Sequence, residues 1–277
     1  QERLESQILV SKKRVKSEME LRLMGLSGMP MVKPGDDLLD IIVDALSAMG
    51  ETLQDDDVLV IAQKVVSMVE NRYLDLRTVV PTDEAKKLAI EVDKDPRKVQ
   101  AILDESNEVV RTRKGVLVVE HKLGFVQANA GIDQSNIDSD GPDDEHTCLL
   151  LPENPDASAA QLREQIKERC GVQIGVIIND SLGRAWRIGS MGVAIGVSGF
   201  AALEDYIGQR DIYDRKLAVT QVGAADELAA GASLVMGQTT EKTPVVLVRG
   251  YQPREPSERN QQGVKPLLRP KSMDLFR

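Results

Sequence analysis

Cysteine is nearly absent from this chain. Among 277 residues only Cys148 and Cys170 occur, and neither lies in a C-x-x-C spacing, so a disulfide framework or a thiolate zinc site has no material to be built from. A reducing, cytoplasmic setting follows as the natural expectation. His121 and His146 are the only histidines; they lack the spacing of paired metal ligands and read as structural. No apolar run approaches the 18 residues of a membrane span, and the first 26 residues scatter charge among aliphatics, which reads as neither a signal peptide nor an anchor. A formal net charge of -9 withholds the basic face that a nucleic acid needs, although a nucleotide requires only a local basic pocket. The chain also has no Walker loop, no G-x-G-x-x-G after a strand, no G-x-S-x-G elbow and no H-E-x-x-H. Serine-hydrolase and zinc-protease chemistry therefore have no support.

What is present is an ordinary soluble balance, 42% hydrophobic and 29% charged, in a chain long enough for one large or two modest domains. We read 1–277 as a single unit, with two subdomains as the alternative division. Lys33-Pro34-Gly35-Asp36-Asp37 is a turn that caps a helix over 38–49, where Leu38, Ile41, Ile42, Ala45, Leu46 and Met49 recur at helical spacing. Asp55-Asp56-Asp57 reads as a solvated loop before an apolar strand that stops at Gln63 and Lys64. Residues 82–114 read as helical, capped by Thr82 and broken at Asp95-Pro96, followed by a strand over 116–119 and a long loop over 120–140. Further helices are expected at 157–169 and 224–235, the second stopped by Met236-Gly237, and strands at 172–178, 193–197, 217–222 and 245–248. Residues 252–265 are polar and read as a mobile link. With no glycine-rich phosphate fingerprint after an early strand, the fold class expected is α+β: mixed, largely antiparallel sheets with flanking helices, not a Rossmann or P-loop fold.

The stretch VQIGVIINDSLGRAWRIGSMGVAIG, residues 172–196, carries the most chemistry. It reads as strand, polar turn, strand, with Asp180 and Ser181 at the strand end and Gly183, Arg184 and Arg187 after them. A carboxylate and a hydroxyl beside guanidinium groups can hold Mg²⁺ or Mn²⁺ together with phosphate oxygens. An ordinary turn uses the same residue types, and that alternative stays open here. Lys64 is either a phosphate ligand or a snorkelling surface lysine. Asp133 and Asn136 stand out in the 120–140 loop, where Asx-turn chemistry is the plain alternative.

Read in order, GLSGMPMVKPGDDL, VLVIAQKVVS, GVLVVEHKLGFVQANAGIDQSNI, VIINDSLGRAWRIGSMGVAIGVSG, VTQVGAADELAAGASLVMGQ, PVVLVRG and LLRPKSMDLFR resemble the coenzyme F420-0:L-glutamate ligases, also called F420-0 gamma-glutamyl ligases, over most of the chain. NAGIDQSNI and NDSLGRAWR are the most specific pieces. The resemblance implies a GTP-dependent ligase that joins the lactyl carboxylate of F420-0 to the amine of L-glutamate through an acyl phosphate, with a second, gamma-linked glutamate as a further product. It implies Mg or Mn, two ions, with a monovalent cation besides, and a homodimer. Carried over by position, Asp133, Asp180, Ser181 and Gln238 are the metal ligands, with Asp133 and Asp180 also catalytic. The nucleotide contacts are Met29, Pro30, Met31, Val32, Gln63, Lys64, Met68, Asn136, Met236, Gly237, Gln238, Thr239, Thr240, Glu241, Lys242 and Thr243. Arg184 and Arg187 are added to the catalytic residues on their charge alone, as phosphate or substrate-carboxylate binders. Four positions depart from the family pattern: Met68 replaces a lysine, Asn71 a glycine, Ile207 an arginine and Asp214 a glycine. They leave two alternatives in play, a ligase for another carboxylate and a weakly active nucleotide-binding homologue.

Overall fold

The computed structural model describes residues 20–137, 144–252 and 262–274. The expected mobile link therefore lies mostly outside the described residues, as do residues 1–19 and the end of the 120–140 loop. In chain order the elements are β1 (Arg22–Gly25), α1 (Leu38–Ala48), β2 (Val58–Ala62), α2 (Gln63–Val69), β3 (Tyr73–Asp75), α3 (Asp83–Val92), α4 (Pro96–Asp104), β4 (Ser106–Arg113), β5 (Val116–His121), β6 (Val126–Ala128), β7 (Thr147–Leu149), α5 (Pro155–Cys170), β8 (Gly175–Gly183), β9 (Ser190–Ser198), β10 (Glu204–Asp205), β11 (Gln221–Val222), α6 (Ala224–Met236) and β12 (Val245–Arg249). This is the α+β class that the sequence predicts. Among the described residues no helix is long and apolar enough to cross a membrane.

The larger sheet has five strands in the order β1-β12-β2-β8-β9, antiparallel throughout except for the parallel pair β2 and β8. β2 and β12 are apolar on both faces because helices cover both. The helices reach opposite faces through β9. A bulge there, opposite the Ile178/Asn179 step of β8, changes the phase of the strand. On one side of it a Cβ at Gly192 would collide with the backbone oxygen of Ala229 in α6, and on the other a Cβ at Gly196 would lie 2.5 Å from Pro155 of α5. Only glycine lets both helices pack this close. As the edge strand, β9 also needs partners for its outward N–H groups. The Ala194 N–H donates to Asp226 in the first turn of α6 at 2.9 Å, and the Val197 N–H to Asp156 in the first turn of α5 at 2.8 Å. Burial pushes both carboxyl groups above their usual range.

A second core, with Leu76, Val92, Ile102, Leu117, Val119 and Cys148 among its members, is enclosed by α3, α4, the β4-β5-β6 sheet and the β3-β7 ladder. Thr82 caps α3 by accepting the Ala85 N–H, and Asp95-Pro96 splits α3 from α4, as the sequence predicts.

Five expectations need correction. Residues 179–183 are not a turn: β8 continues to Gly183 because Asp180, Ser181 and Leu182 stay paired with Val193, Gly192 and Met191, and the turn falls at 184–189. The helical reading of 82–114 stops at Asp104, since Ser106–Arg113 pairs across a Lys114-Gly115 turn with β5. The 120–140 loop hides β6, a hairpin partner of β5. The strand expected over 217–222 shrinks to Gln221–Val222. Asp57 is not solvated: it is 1% exposed and takes two bonds from Arg249, at 2.9 and 2.8 Å.

Candidate functional site

Four chain segments are brought to one edge of the large sheet by strand direction alone. β2 and β8 run parallel, with Ala62 beside Asn179, so their C-terminal ends open together, delivering Gln63 and Lys64 from one and Asp180 and Ser181 from the other. β12 runs antiparallel to β2, with Val245 beside Ile61, so the loop that precedes it arrives at the same edge. β1 is antiparallel to β12, with Gly25 beside Val246, so the segment leaving β1 departs there too. Between them lies a cavity of about 360 Å³. Its wall contains Met29, Pro30, Met31, Val32, Gln63, Lys64, Met68, Asn136, Asp180, Ser181 and the whole run from Met236 through Gly237, Gln238, Thr239, Thr240, Glu241 and Lys242 to Thr243.

Asp133 comes from the other lobe. After β6 the chain makes a turn in which Asn129, Ala130 and Gly131 all have positive φ, 52°, 55° and 67°. Buried Ala130 holds a conformation that an L-residue adopts at a cost of ~1–2 kcal/mol, and at Gly131 a Cβ would press against Gln127 and Leu151. The turn lets Asp133 pair its backbone with Leu149, N–H to O at 3.0 Å and the reverse at 2.8 Å. The Asp133 carboxylate then receives Gln63 Nε2 on Oδ2 at 2.8 Å and has Lys64 Nζ 3.6 Å from Oδ1. Lys64 also donates to the Ser135 carbonyl at 3.1 Å.

Asp180 is the most perturbed acid of the site. Burial first, then the charge of Asp133, pushes its carboxyl up to about 7, against the pull of the Ser181 N–H that donates to Oδ1 at 2.7 Å. Asp133 is itself raised by burial, with Lys64 opposing. The Ser181 hydroxyl donates to Gln238 Oε1 at 3.0 Å, and Gln238 Nε2 donates to Ser233 Oγ at 3.3 Å. In the loop after α6 the Glu241 carboxylate accepts the Thr239 N–H at 2.7 Å, and backbone donors lower its pKa.

The oxygen donors suit a hard divalent cation. Asp133, Asp180, Ser181 and Gln238 offer carboxylate, hydroxyl and amide oxygen with no thiolate or imidazole, and burial raises the proton affinity of both carboxylates, the charge of Asp133 adding to that of Asp180, in a way a cation would reverse. Among the described residues no three His, Cys, Asp or Glu side chains converge as a ready metal cage, so water and substrate oxygens would have to complete the shell of any ion held here. That is the habit of Mg²⁺ beside phosphate.

Arg184 and Arg187 are not part of the cavity wall. They sit in the exposed 184–189 turn, where Arg184 donates to the Gly189 carbonyl at 3.0 Å. Met68 does face the cavity and is 5% exposed. Asn179 and Ser233 line the cavity as well and escape the sequence reading. Asn179 abuts Asp180, but its donation to Met236 Sδ at 3.5 Å depends on α6 crossing the sheet.

The profile of the F420-0:Gamma-glutamyl ligase family matches residues 28–250. The coenzyme F420:L-glutamate ligase of Methanothermobacter thermautotrophicus is 46% identical over 259 residues, 94% of this chain and 100% of that protein. The protein of the same name in Methanocaldococcus jannaschii is 40% identical, covering 95% of this chain and 99% of its own. The one in Methanococcus maripaludis strain C7 is 48% identical over 81% of this chain and 86% of its own.

Proposed function

The chain belongs to the F420-0:Gamma-glutamyl ligase family, and from that premise we propose that it is a coenzyme F420:L-glutamate ligase that spends GTP to join L-glutamate to the lactyl carboxylate of F420-0. The observation that carries this reading is the meeting of Lys64, Asp180, Ser181 and Gln238 in one cavity wall, with the Asp133 carboxylate held behind it by Gln63 and Lys64.

A carboxylate and an amine form only a salt at neutral pH, so the carboxylate must first be activated. Its oxygen attacks the γ-phosphorus, the bond from that phosphorus to the bridging oxygen breaks, and GDP leaves with the electron pair. The glutamate amine, deprotonated, then attacks the acyl carbon of the mixed anhydride; an amide forms and inorganic phosphate departs. A gamma-linked second glutamate repeats the sequence on the side-chain carboxylate of the first. Mg²⁺ or Mn²⁺, held by Asp133, Asp180, Ser181 and Gln238, neutralises charge on the phosphates when bound, and two such ions with a monovalent cation are the complement we assign. Lys64 supplies a further positive charge at the triphosphate. The Met29 to Val32 segment and the Met236 to Thr243 loop wall the nucleoside side of the cavity.

The deciding experiment incubates the purified chain with F420-0, L-glutamate, Mg²⁺ or Mn²⁺ and either GTP or ATP, and follows product mass together with nucleoside diphosphate release. A glutamylated product formed only with GTP is the expected result. Diphosphate release with another carboxylate acceptor but not with F420-0 would favour a drifted ligase. We assign the protein to the cytoplasm and give it a second copy of itself as partner. Trp186, Ile188 and Ile212, each more than four-fifths exposed, are apolar surface that such a partner would cover, and light scattering of the purified chain tests that.

A further inference from the structure

We infer that Gln63 and Ser67 form a buried relay that aims the Asp133 carboxylate, a positioning role rather than a nucleotide contact; the inference rests on the cation-dependent ligase reading above. The two residues are one turn apart on α2, i and i+4, and so share a face of the helix. Gln63 is 2% exposed and Ser67 0%. The Ser67 hydroxyl donates to Gln63 Oε1 at 3.0 Å, and Gln63 Nε2 donates to Asp133 Oδ2 at 2.8 Å.

Chemistry sets the direction of this chain. An ionised carboxylate only accepts, so the amide must turn its NH₂ toward Asp133, which leaves its oxygen facing Ser67; the hydroxyl must then donate. The Ser67 proton therefore holds the amide in the orientation that Asp133 sets, and with Ser67 0% exposed no water stands ready to replace it. The consequence is an unequal carboxylate. Oδ2 is tied to a neutral donor, while Oδ1 faces Lys64 at 3.6 Å and is the oxygen left to ligate.

A neutral amide suits the position better than a charged group. A carboxylate at 63 would set a negative charge directly against the Asp133 carboxylate that Gln63 now donates to, and an ammonium would compete with the cation. Because both ends of the Gln63 amide are engaged within the protein, specific nucleotide recognition falls to other residues of the wall. Groups that orient a metal ligand from behind in this way commonly contribute about 10–100-fold in metal affinity.

The test is a Mn²⁺ titration of the full-length protein without substrates, read by calorimetry and by the electron paramagnetic resonance signal of free Mn²⁺, on wild type, Ser67→Ala and Gln63→Leu. Thermal melts check that each variant is folded. The expected result is a Mn²⁺ dissociation constant raised several-fold in Ser67→Ala and about 10–100-fold in Gln63→Leu, with GTP affinity measured in chelator unchanged. Should Gln63→Leu not fold, the Ser67→Ala titration decides alone. Wild-type Mn²⁺ affinity in the folded variants overturns the relay. Weaker GTP binding in chelator with unchanged Mn²⁺ affinity overturns it in favour of a nucleotide contact. Absence of Mn²⁺ binding in the wild type itself removes the cation reading together with the relay.

Discussion

Replacing Asp180 by asparagine should strengthen the fold while abolishing ligation. In the metal-free protein burial and the charge of Asp133 raise the Asp180 carboxyl from 3.8 to about 7. A carboxyl whose pKa is higher folded than unfolded favours the fold only while it is protonated. Its contribution is complete below pH ~4 and is lost as pH climbs through 7. The interval of about three pH units corresponds to ~4 kcal/mol at 1.36 kcal/mol per unit. Asp180 borders a cavity that admits water, and screening there leaves about half, ~2 kcal/mol.

Asparagine keeps an oxygen for the Ser181 N–H and carries no charge at any pH. At pH 8 in chelator, Asp180→Asn should therefore melt several degrees above wild type, while at pH 4 the two should coincide. Mg²⁺ should reverse the order, because a ligand that binds only the native state adds RT ln(1 + [L]/Kd), about 2.7 kcal/mol at a hundredfold excess over Kd, and only the wild type retains the site. The assay is a pair of melting curves from pH 4 to 8.5, with chelator and with Mg²⁺. Parallel pH profiles for the two proteins, or equal stabilisation of both by Mg²⁺, would refute the reasoning.

Arg249→Met should destabilise the protein by ~3–5 kcal/mol in urea unfolding, because it strands Asp57, 1% exposed, without its guanidinium partner; a loss below ~1 kcal/mol would show that Asp57 finds water. Met68→Lys should lower the dissociation constant for GTP and make it more sensitive to salt, since Met68 lines the cavity; an unchanged constant would mean that a lysine there cannot reach the phosphates. Gly192→Ala should cost ~1–3 kcal/mol by driving a methyl group into the backbone of α6 at Ala229 and the amide of Asn179, measured by the same unfolding. Near-wild-type stability would show that α6 can shift without loss.

The parts of the molecule legible in the sequence are those whose cause is local. The helix beginning after Asp37 is announced by its cap and its apolar spacing, and the structure starts it at Leu38 with Asp37 accepting the Asp40 N–H. The break at Asp95-Pro96 is equally local. What escaped depends on partners far along the chain. Asp57 looks solvated among three aspartates until Arg249 arrives from the last strand. Asn179, Asp180 and Ser181 read as a turn because polar residues interrupt an apolar run, yet β9 pairs with them and holds them extended. Asp133 and Asp180 could be suspected one by one, but their mutual repulsion exists only because two lobes meet. The family resemblance supplied that pairing where spacing along the chain could not.

The departures from the family pattern divide on the same physical line. Two of them, Asn71 and Asp214, stand where the resemblance leads one to expect glycine, and both occupy the left-handed region, at φ 53° and 65°. Asn and Asp are the residues that tolerate that region best after glycine, so both replacements preserve the backbone path at modest cost and carry no message about chemistry. Met68 and Ile207 are of another kind. Each is an apolar group where the resemblance leads one to expect a cation, but Met68 is buried in the cavity wall whereas Ile207 is half exposed and away from it. A lost charge matters most where water is scarce and a triphosphate is near. Under the proposed function, Met68 is therefore the departure placed to alter nucleotide binding directly, and Lys64, already beside Asp133, and Lys242 are the cations that the cavity wall keeps for that duty.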